Sequence, residues 1–319
     1  MEILFRADGG EGIGLGHIMR TLVLAKELLK HHKIKYICNN ADKYSKGIEK
    51  IKSEGIEVIS IDCKDELKQI KDISGQFIVV DKYGIDKGYL SSLKEKFNVI
   101  YFDDNNELDF YPVDMIINQN IYAKQLKYNT LKETKLLLGK NYTMLREEFR
   151  NNNPISINKE VKDVLITLGG SDDFNITENI LKQLKNFNFN LHIVIGPAFK
   201  YKDSLKKYQQ KNIRLYENVN ISNLMKKADL VISSCGSTLY ELSFLGIPTI
   251  GVIVADNQKA SGEYMNKTKS IILSDIYTIG EKVNKITYEK RLELSDNMKS
   301  IIDGQGVYRV KKEIEKYDI

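Results

Sequence analysis

Gly12-Ile13-Gly14-Leu15-Gly16-His17-Ile18-Met19-Arg20 follows a short apolar run at 3–5 and opens an amphipathic segment from 18 to about 29. A strand, a glycine-rich turn and a helix start are expected there. Ile18, Leu22, Ala25 and Leu29 recur at helical spacing and predict one buried face. Glycines let a backbone approach a ligand closely, and a helix N-terminus offers free N–H groups and a positive dipole end. Gly14-x-Gly16-His17 is therefore taken as the chemical centre. A histidine in that first turn resists protonation, and a neutral imidazole is what a general base must be. His31 and His32 fall at a helix end and read as solvated, and His192 reads as a structural strand residue.

Outward from this stretch, strand-like segments at 2–5, 34–38, 57–61, 77–80, 99–102 and 115–118 alternate with helix-like ones at 18–30, 45–53, 66–71 and 87–96, and a short one near Ala123. Such alternation predicts a parallel sheet covered by helices. A polar, turn-rich stretch at 150–161 reads as an interdomain linker. The pattern then restarts, with strands at 164–168, 191–195, 213–216, 229–232 and 248–254. Helices are expected at 177–187, capped by Asn175 or Thr177, at 221–227, from Gly236 to about Leu245, from Asn257 and over 307–316. Domains of 1–150 and 151–319 follow, with the last helix able to pack back on the first domain. Ligands of doubly wound sheets sit beyond strand C-termini. The polar and glycine clusters lie there, among them Asp81–Asp86, Asp103-Asp104, Gly169–Asp172, Gly196, 233–241 and Asn257-Gln258, and two facing sheets would line one cleft with them.

The chain has 319 residues, 42% hydrophobic and 29% charged, with a net charge of +5 and no long basic block, which argues against nucleic acid or anionic membrane as partner. Cys38, Cys63 and Cys235 are odd in number and widely spaced, so a reducing, cytoplasmic setting without disulfides is expected. No apolar run approaches the roughly 20 residues of a membrane span.

The glycine loop fits a dinucleotide fingerprint badly: Met19 stands where a third glycine belongs, and the second strand ends in Cys38-Asn39-Asn40 rather than in an acid. No P-loop is present. Gly236-Ser237-Thr238-Leu239-Tyr240-Glu241 allows two readings. The Ser237 and Thr238 amides could face a pyrophosphate while Glu241 grips a ribose diol, or Thr238 and Glu241 could form a capping box. Gly169-Gly170-Ser171 and Gly196 at neighbouring strand ends favour the nucleotide. Asn257-Gln258 could read sugar hydroxyls or an acetamido group, or Asn257 could simply cap a helix. Cys235 precedes a helix start without a nearby histidine, so a buried thiol is favoured over a nucleophile. Asp81, Asp86, Asp103 and Asp104 lack tight ligand spacing, and no metal is expected.

These residues resemble the UDP-2,4-diacetamido-2,4,6-trideoxy-β-L-altropyranose hydrolases of pseudaminic acid biosynthesis, relatives of GT-B glycosyltransferases of the MurG type. The matching motifs include Phe5-Arg6-Ala7-Asp8, Gly14 to Arg20, Asp81-Lys82-Tyr83, Asp103-Asp104, Asn118-Gln119-Asn120, Leu145-Arg146-Glu147-Glu148-Phe149, Gly169 to Asp172, Gly236-Ser237-Thr238 with Glu241, Asn257-Gln258 and Asp303-Gly304-x-Gly306. They run in order over nearly the whole chain. Ser233-Ser234-Cys235 and the lack of tryptophan depart from the pattern.

The resemblance implies an α/β chain of GT-B type, two Rossmann-like doubly wound domains facing a cleft. It implies a cytoplasmic monomer that takes a UDP-sugar without cofactor or metal. UDP and the free sugar would be released with inversion. His17 would take the proton of water, and Tyr83 and Asn257 would orient sugar or water. Gly14, Gly16, Arg20, Asp81, Arg146, Phe149, Gly169, Gly170, Ser171, Gly196, Gly236, Ser237, Thr238, Glu241 and Gln258 would bind substrate, Arg20 at the leaving diphosphate. The alternatives are an inverting GT-B glycosyltransferase with an acceptor hydroxyl in place of water, and a non-catalytic nucleotide-sugar binding protein.

Overall fold

In a computed structural model the described residues are Met1–Asp318. They form two compact units, Met1–Arg146 with the C-terminal segment that begins at Gly304, and Glu147–Asp303.

The first unit is a parallel sheet of β1 (Glu2–Ala7), β2 (Lys33–Asn39), β3 (Glu57–Ile61), β4 (Phe77–Asp81), β5 (Asn98–Phe102), β6 (Met115–Asn118) and β7 (Lys135–Leu138), in the order β3-β2-β1-β4-β5-β6-β7. Side chains alternate along a strand, so β1 feeds two cores. Ile3, Phe5 and Ala7 join the helix Gly16–Leu29 and Val307, Val310 and Ile314 of the helix Gly306–Glu315. Leu4 joins Ile37, Ile78, Val80 and Leu90 on the opposite face. Ile18, Leu22 and Ala25 are buried as their spacing predicts, but Leu29 is exposed and Leu28 takes the core position. His32 is not solvated: its Nε2 lies 3.0 Å from Glu315 on the C-terminal helix.

The second unit repeats the plan with β8 (Asp163–Thr167), β9 (Asn190–Val194), β10 (Ile213–Tyr216), β11 (Leu230–Ser234), β12 (Thr249–Val252) and β13 (Ile272–Ser274), ordered β10-β9-β8-β11-β12-β13. The polar stretch read as a linker is docked on this unit. Ile155 N donates to Leu245 O at 2.9 Å, Asn158 donates to Asp229 Oδ1 at 2.7 Å, and the other Asp229 oxygen accepts from the Lys162 and Asp163 amides. The helix Ile176–Leu184 is capped by neither expected residue. Asp172 accepts from the Ile176 and Thr177 amides at 2.8 Å each, so this carboxylate of the Gly-Gly-Ser-Asp motif is a cap. His192 is structural, held between Asp163 and Tyr216.

The sequence gives no expectation for β7, β13 or the helices Ile279–Lys285 and Tyr288–Lys299. The two strands are short, and the last helix, YEKRLELSDNMK, is too charged for a clear apolar stripe.

Candidate active site

In the first unit the strand order reverses between β1 and β4, the switch point at which doubly wound sheets bind ligands. The two strands run in parallel register, Ala7 beside Asp81. After Ala7 the chain makes a tight loop in which Gly10 and Gly14 exchange backbone hydrogen bonds of 2.8 and 2.9 Å. Gly12 and Gly14 have positive φ, 82° and 69°. A Cβ on Gly10 would fall 2.0 Å from Lys43 O, whereas Cβ atoms on Gly14 and Gly16 would meet open space. The helix Gly16–Leu29 has no side-chain cap and carries His17 and Arg20 one turn apart on the same side.

His17 Nδ1 lies 2.6 Å from Asp81 Oδ1. Burial opposes ionisation of Asp81, but the Arg20 guanidinium and His17 outweigh it and hold this carboxyl below its ordinary value. Asp81 is then an acceptor, so in the neutral imidazole Nδ1 carries the proton and Nε2 has the lone pair. Arg20 joins two acids: Nε and Nη2 reach the Asp81 oxygens at 2.6 Å each, and Nη1 reaches those of Asp104 at 2.8 and 2.9 Å. Burial likewise opposes ionisation of Asp104, and Arg20 keeps its carboxyl low. Tyr83 OH donates to Asp104 at 3.0 Å, and its half-exposed ring stands edge-on to His17, centroids 4.6 Å apart. Burial, then Asp104, raises the Tyr83 phenol. Asn120 donates to Asp104 at 3.1 Å, and Phe102 lies under the guanidinium.

Several expected substrate contacts take other roles. Asp81 is 1% exposed and enclosed by His17 and Arg20, and the Arg20 donors are spent on carboxylates rather than turned to a diphosphate. Phe149 is fully buried and packs as core. Arg146 is the last residue of the first unit's main segment. Asp104 and Asn120 stood in the motifs without a role. The signal for Asp104 was an arginine one turn after the histidine with acids at two strand ends, more than one of which it could reach.

In the second unit β8 and β11 flank the corresponding reversal, so the segments after them lie side by side. A Cβ on Gly196 would fall 2.4 Å from Gly169 O and 2.5 Å from Gly170 O, so Gly196 is there for backbone approach. Gly169 has φ 95°, and Gly170 and Ser171 are exposed. The helix Thr238–Leu245 starts after Ser237, whose side chain makes no capping hydrogen bond. Ser237 is exposed, Thr238 half-buried, and Glu241 buried in the first turn. Gln258 Oε1 accepts from the Cys235 and Val254 amides at 3.2 and 3.1 Å, tying the ends of β11 and β12. Asn257 caps no helix; it is exposed within the single turn Asp256–Gln258. Burial pushes the Cys235 thiol up to about 12, which makes it a poor nucleophile.

Residues 164–312 match the glycosyltransferase family 28 C-terminal domain. A crystal structure of Acinetobacter baumannii MurG superposes with a TM-score of 0.71, covering 99% of both chains at 13% identity. The fold is GT-B. Among curated proteins, an uncharacterized protein of Methanocaldococcus jannaschii is 34% identical over 295 residues, 86% of this chain, which spans 60% of that protein's length. The UDP-2,4-diacetamido-2,4,6-trideoxy-beta-L-altropyranose hydrolase of Campylobacter jejuni is 29% identical over 278 residues, 84% of this chain and 97% of the relative. The chain is thus similar over residues 164–312 to a glycosyltransferase domain and over most of its length to a UDP-sugar hydrolase, on the GT-B fold. No helix among the described residues is long and apolar enough to cross a membrane.

Proposed function

We propose that the protein hydrolyses a UDP-sugar, a UDP-2,4-diacetamido-2,4,6-trideoxyhexose, at the anomeric C–O bond, in nonulosonic (pseudaminic) acid biosynthesis. The observation that carries this reading is the contact between His17 Nδ1 and Asp81 Oδ1 at 2.6 Å, with Nε2 making no protein hydrogen bond among the described residues. A histidine so oriented is a general base, and the buried carboxylate stabilises the imidazolium it becomes. The Campylobacter relative supports the substrate.

Water attacks C1 from the face opposite UDP, and Nε2 takes its proton. The bonding pair of the C1–O bond leaves on the β-phosphate oxygen, giving UDP and the inverted free sugar. The uncapped amides at Ser237 and Thr238 meet the diphosphate, with Gly169, Gly170 and Ser171 beside them and Gly196 allowing that backbone approach. Glu241 holds the ribose. Tyr83 and Asn257 orient sugar or water, and Gly14 and Gly16 leave room for the sugar. No metal takes part.

The second reading is an inverting glycosyltransferase, favoured by the match of 164–312 to a glycosyltransferase domain. There His17 would deprotonate an acceptor hydroxyl. Incubation with a panel of UDP-sugars and no acceptor separates the two. UDP release from a 2,4-diacetamido sugar supports the hydrolase, and release only when an acceptor is added overturns it.

A further inference from the structure

Two acids, Asp81 and Asp104, sit at the ends of adjacent strands within reach of one guanidinium. Their side chains are 1% and 13% exposed, and that of Arg20 is 16% exposed. Unpaired, two such carboxylates would repel each other. Arg20 removes that conflict with four short contacts of 2.6 to 2.9 Å. Its Nη2 also lies 3.4 Å from His17 Nδ1. The groups facing His17 are Asp81 from the end of β4, Tyr83 from the segment after it, Arg20 from its own helix, and Asp104, after β5, whose charge also acts on the imidazole.

We propose that Arg20 and Asp104 are positioning residues that set the proton affinity of His17, Arg20 by neutralising Asp81 and opposing the imidazolium, Asp104 by holding and partly offsetting Arg20. The inference rests on reading His17 as the base. The signs follow from electrostatics. Loss of Arg20 leaves the imidazole beside unneutralised carboxylates and favours its charged form. Loss of the Asp104 charge leaves Arg20 less compensated and disfavours it.

The test is an NMR titration of the imidazole signals in the full-length protein. The chain has 4 histidines, and His17→Gln assigns the signal of interest. Arg20→Met is expected to raise the His17 midpoint by about one unit, and Asp104→Asn to lower it. Where turnover is measurable, the acid limb of kcat/KM moves the same way. A scaffold role alone does not produce shifts of opposite sign. Two shifts of one sign, or an unmoved midpoint in a folded variant, overturn the proposal. If Arg20→Met does not fold, Asp104→Asn decides: a lower midpoint supports the proposal, and an unchanged or higher one overturns it. The titration needs no turnover. Opposite shifts in a protein that hydrolyses no UDP-sugar sink the hydrolase reading and keep this one, and hydrolysis without the shifts does the reverse.

Discussion

Ala7 and Asp81 are register partners at the C-terminal ends of β1 and β4, and this pairing is why His17 finds a carboxylate. The loop after β1 returns the chain over the sheet edge, and the first turn of the next helix places Nδ1 2.6 Å from Asp81.

His17→Gln removes the base. Acceptor-free UDP release should fall by about 10²–10⁴-fold, while UDP binding measured by calorimetry stays unchanged. Full activity in this variant would remove His17 from the mechanism.

Asp81→Asn keeps the shape of the contact but lets the amide present either an oxygen or an NH₂ to Nδ1, so the tautomer is no longer fixed. Turnover should drop about 10²-fold or more with UDP affinity retained. Steady-state kinetics beside calorimetry tests this, and a variant with normal kcat refutes the orienting role.

Gly236→Ala and Gly196→Ala should behave differently. A Cβ on Gly236 finds its nearest neighbour at 3.8 Å, so that variant should melt like the wild type. If a pyrophosphate approaches the helix start, the methyl should still weaken UDP binding about tenfold or more. At Gly196 the Cβ strikes main-chain oxygens at 2.4 and 2.5 Å, so stability should fall by about 1–3 kcal/mol. Thermal melts and UDP titrations separate the two effects.

Glu66 accepts from buried Arg6 at 2.8 and 3.2 Å, from Lys82 at 2.7 Å and from Tyr89 at 2.5 Å. Burial opposes its ionisation, but these partners, Arg6 first, bring it from 4.5 down to about 2. A carboxyl depressed on folding stabilises above its unfolded value, and that stability is lost as pH falls from about 4.5 through about 2. The difference corresponds to ~3 kcal/mol. Glu66→Gln should therefore be less stable than the wild type near neutrality, with the gap closing across that acid window. Urea unfolding at several pH values measures it, and a gap independent of pH rules the linkage out.

Burial also pushes the Cys38 thiol up to about 12, while Cys63 is exposed. Ellman's reagent at pH about 8 should label Cys63 alone in the folded protein and all three thiols in denaturant. Rapid native labelling of Cys235 would contradict its burial.

Much of the first sheet was legible because its strands are apolar runs with glycine or acid punctuation. The segments at 57–61 and 115–118 have the same limits in sequence and structure. The helix Tyr288–Lys299 was not legible. Its inward residues are Arg291, Leu294, Ser295 and Met298, two of them polar, so no apolar stripe marks it. The capping of Ile176–Leu184 by Asp172 was hidden because Asn175 is by residue type as good a cap. The backbone decides, with Asn175 in the left-handed region at φ 53°.

The sequence by itself determined that two α/β units follow one another, that glycine loops open helices at strand ends, and that His17 stands at such an opening. Those are local properties of periodicity and backbone freedom. Only the tertiary structure decided what surrounds His17. Asp81 and Asp104 lie far from it in the chain and reach it through the strand order β1-β4-β5. Arg20 carries a charge that composition alone offers to any anion, and the fold commits it to those two carboxylates. Charges act through space, so the environment of an ionisable group is a property of the fold, and Gly14-Leu15-Gly16-His17 acquires its chemistry from strands it does not contain.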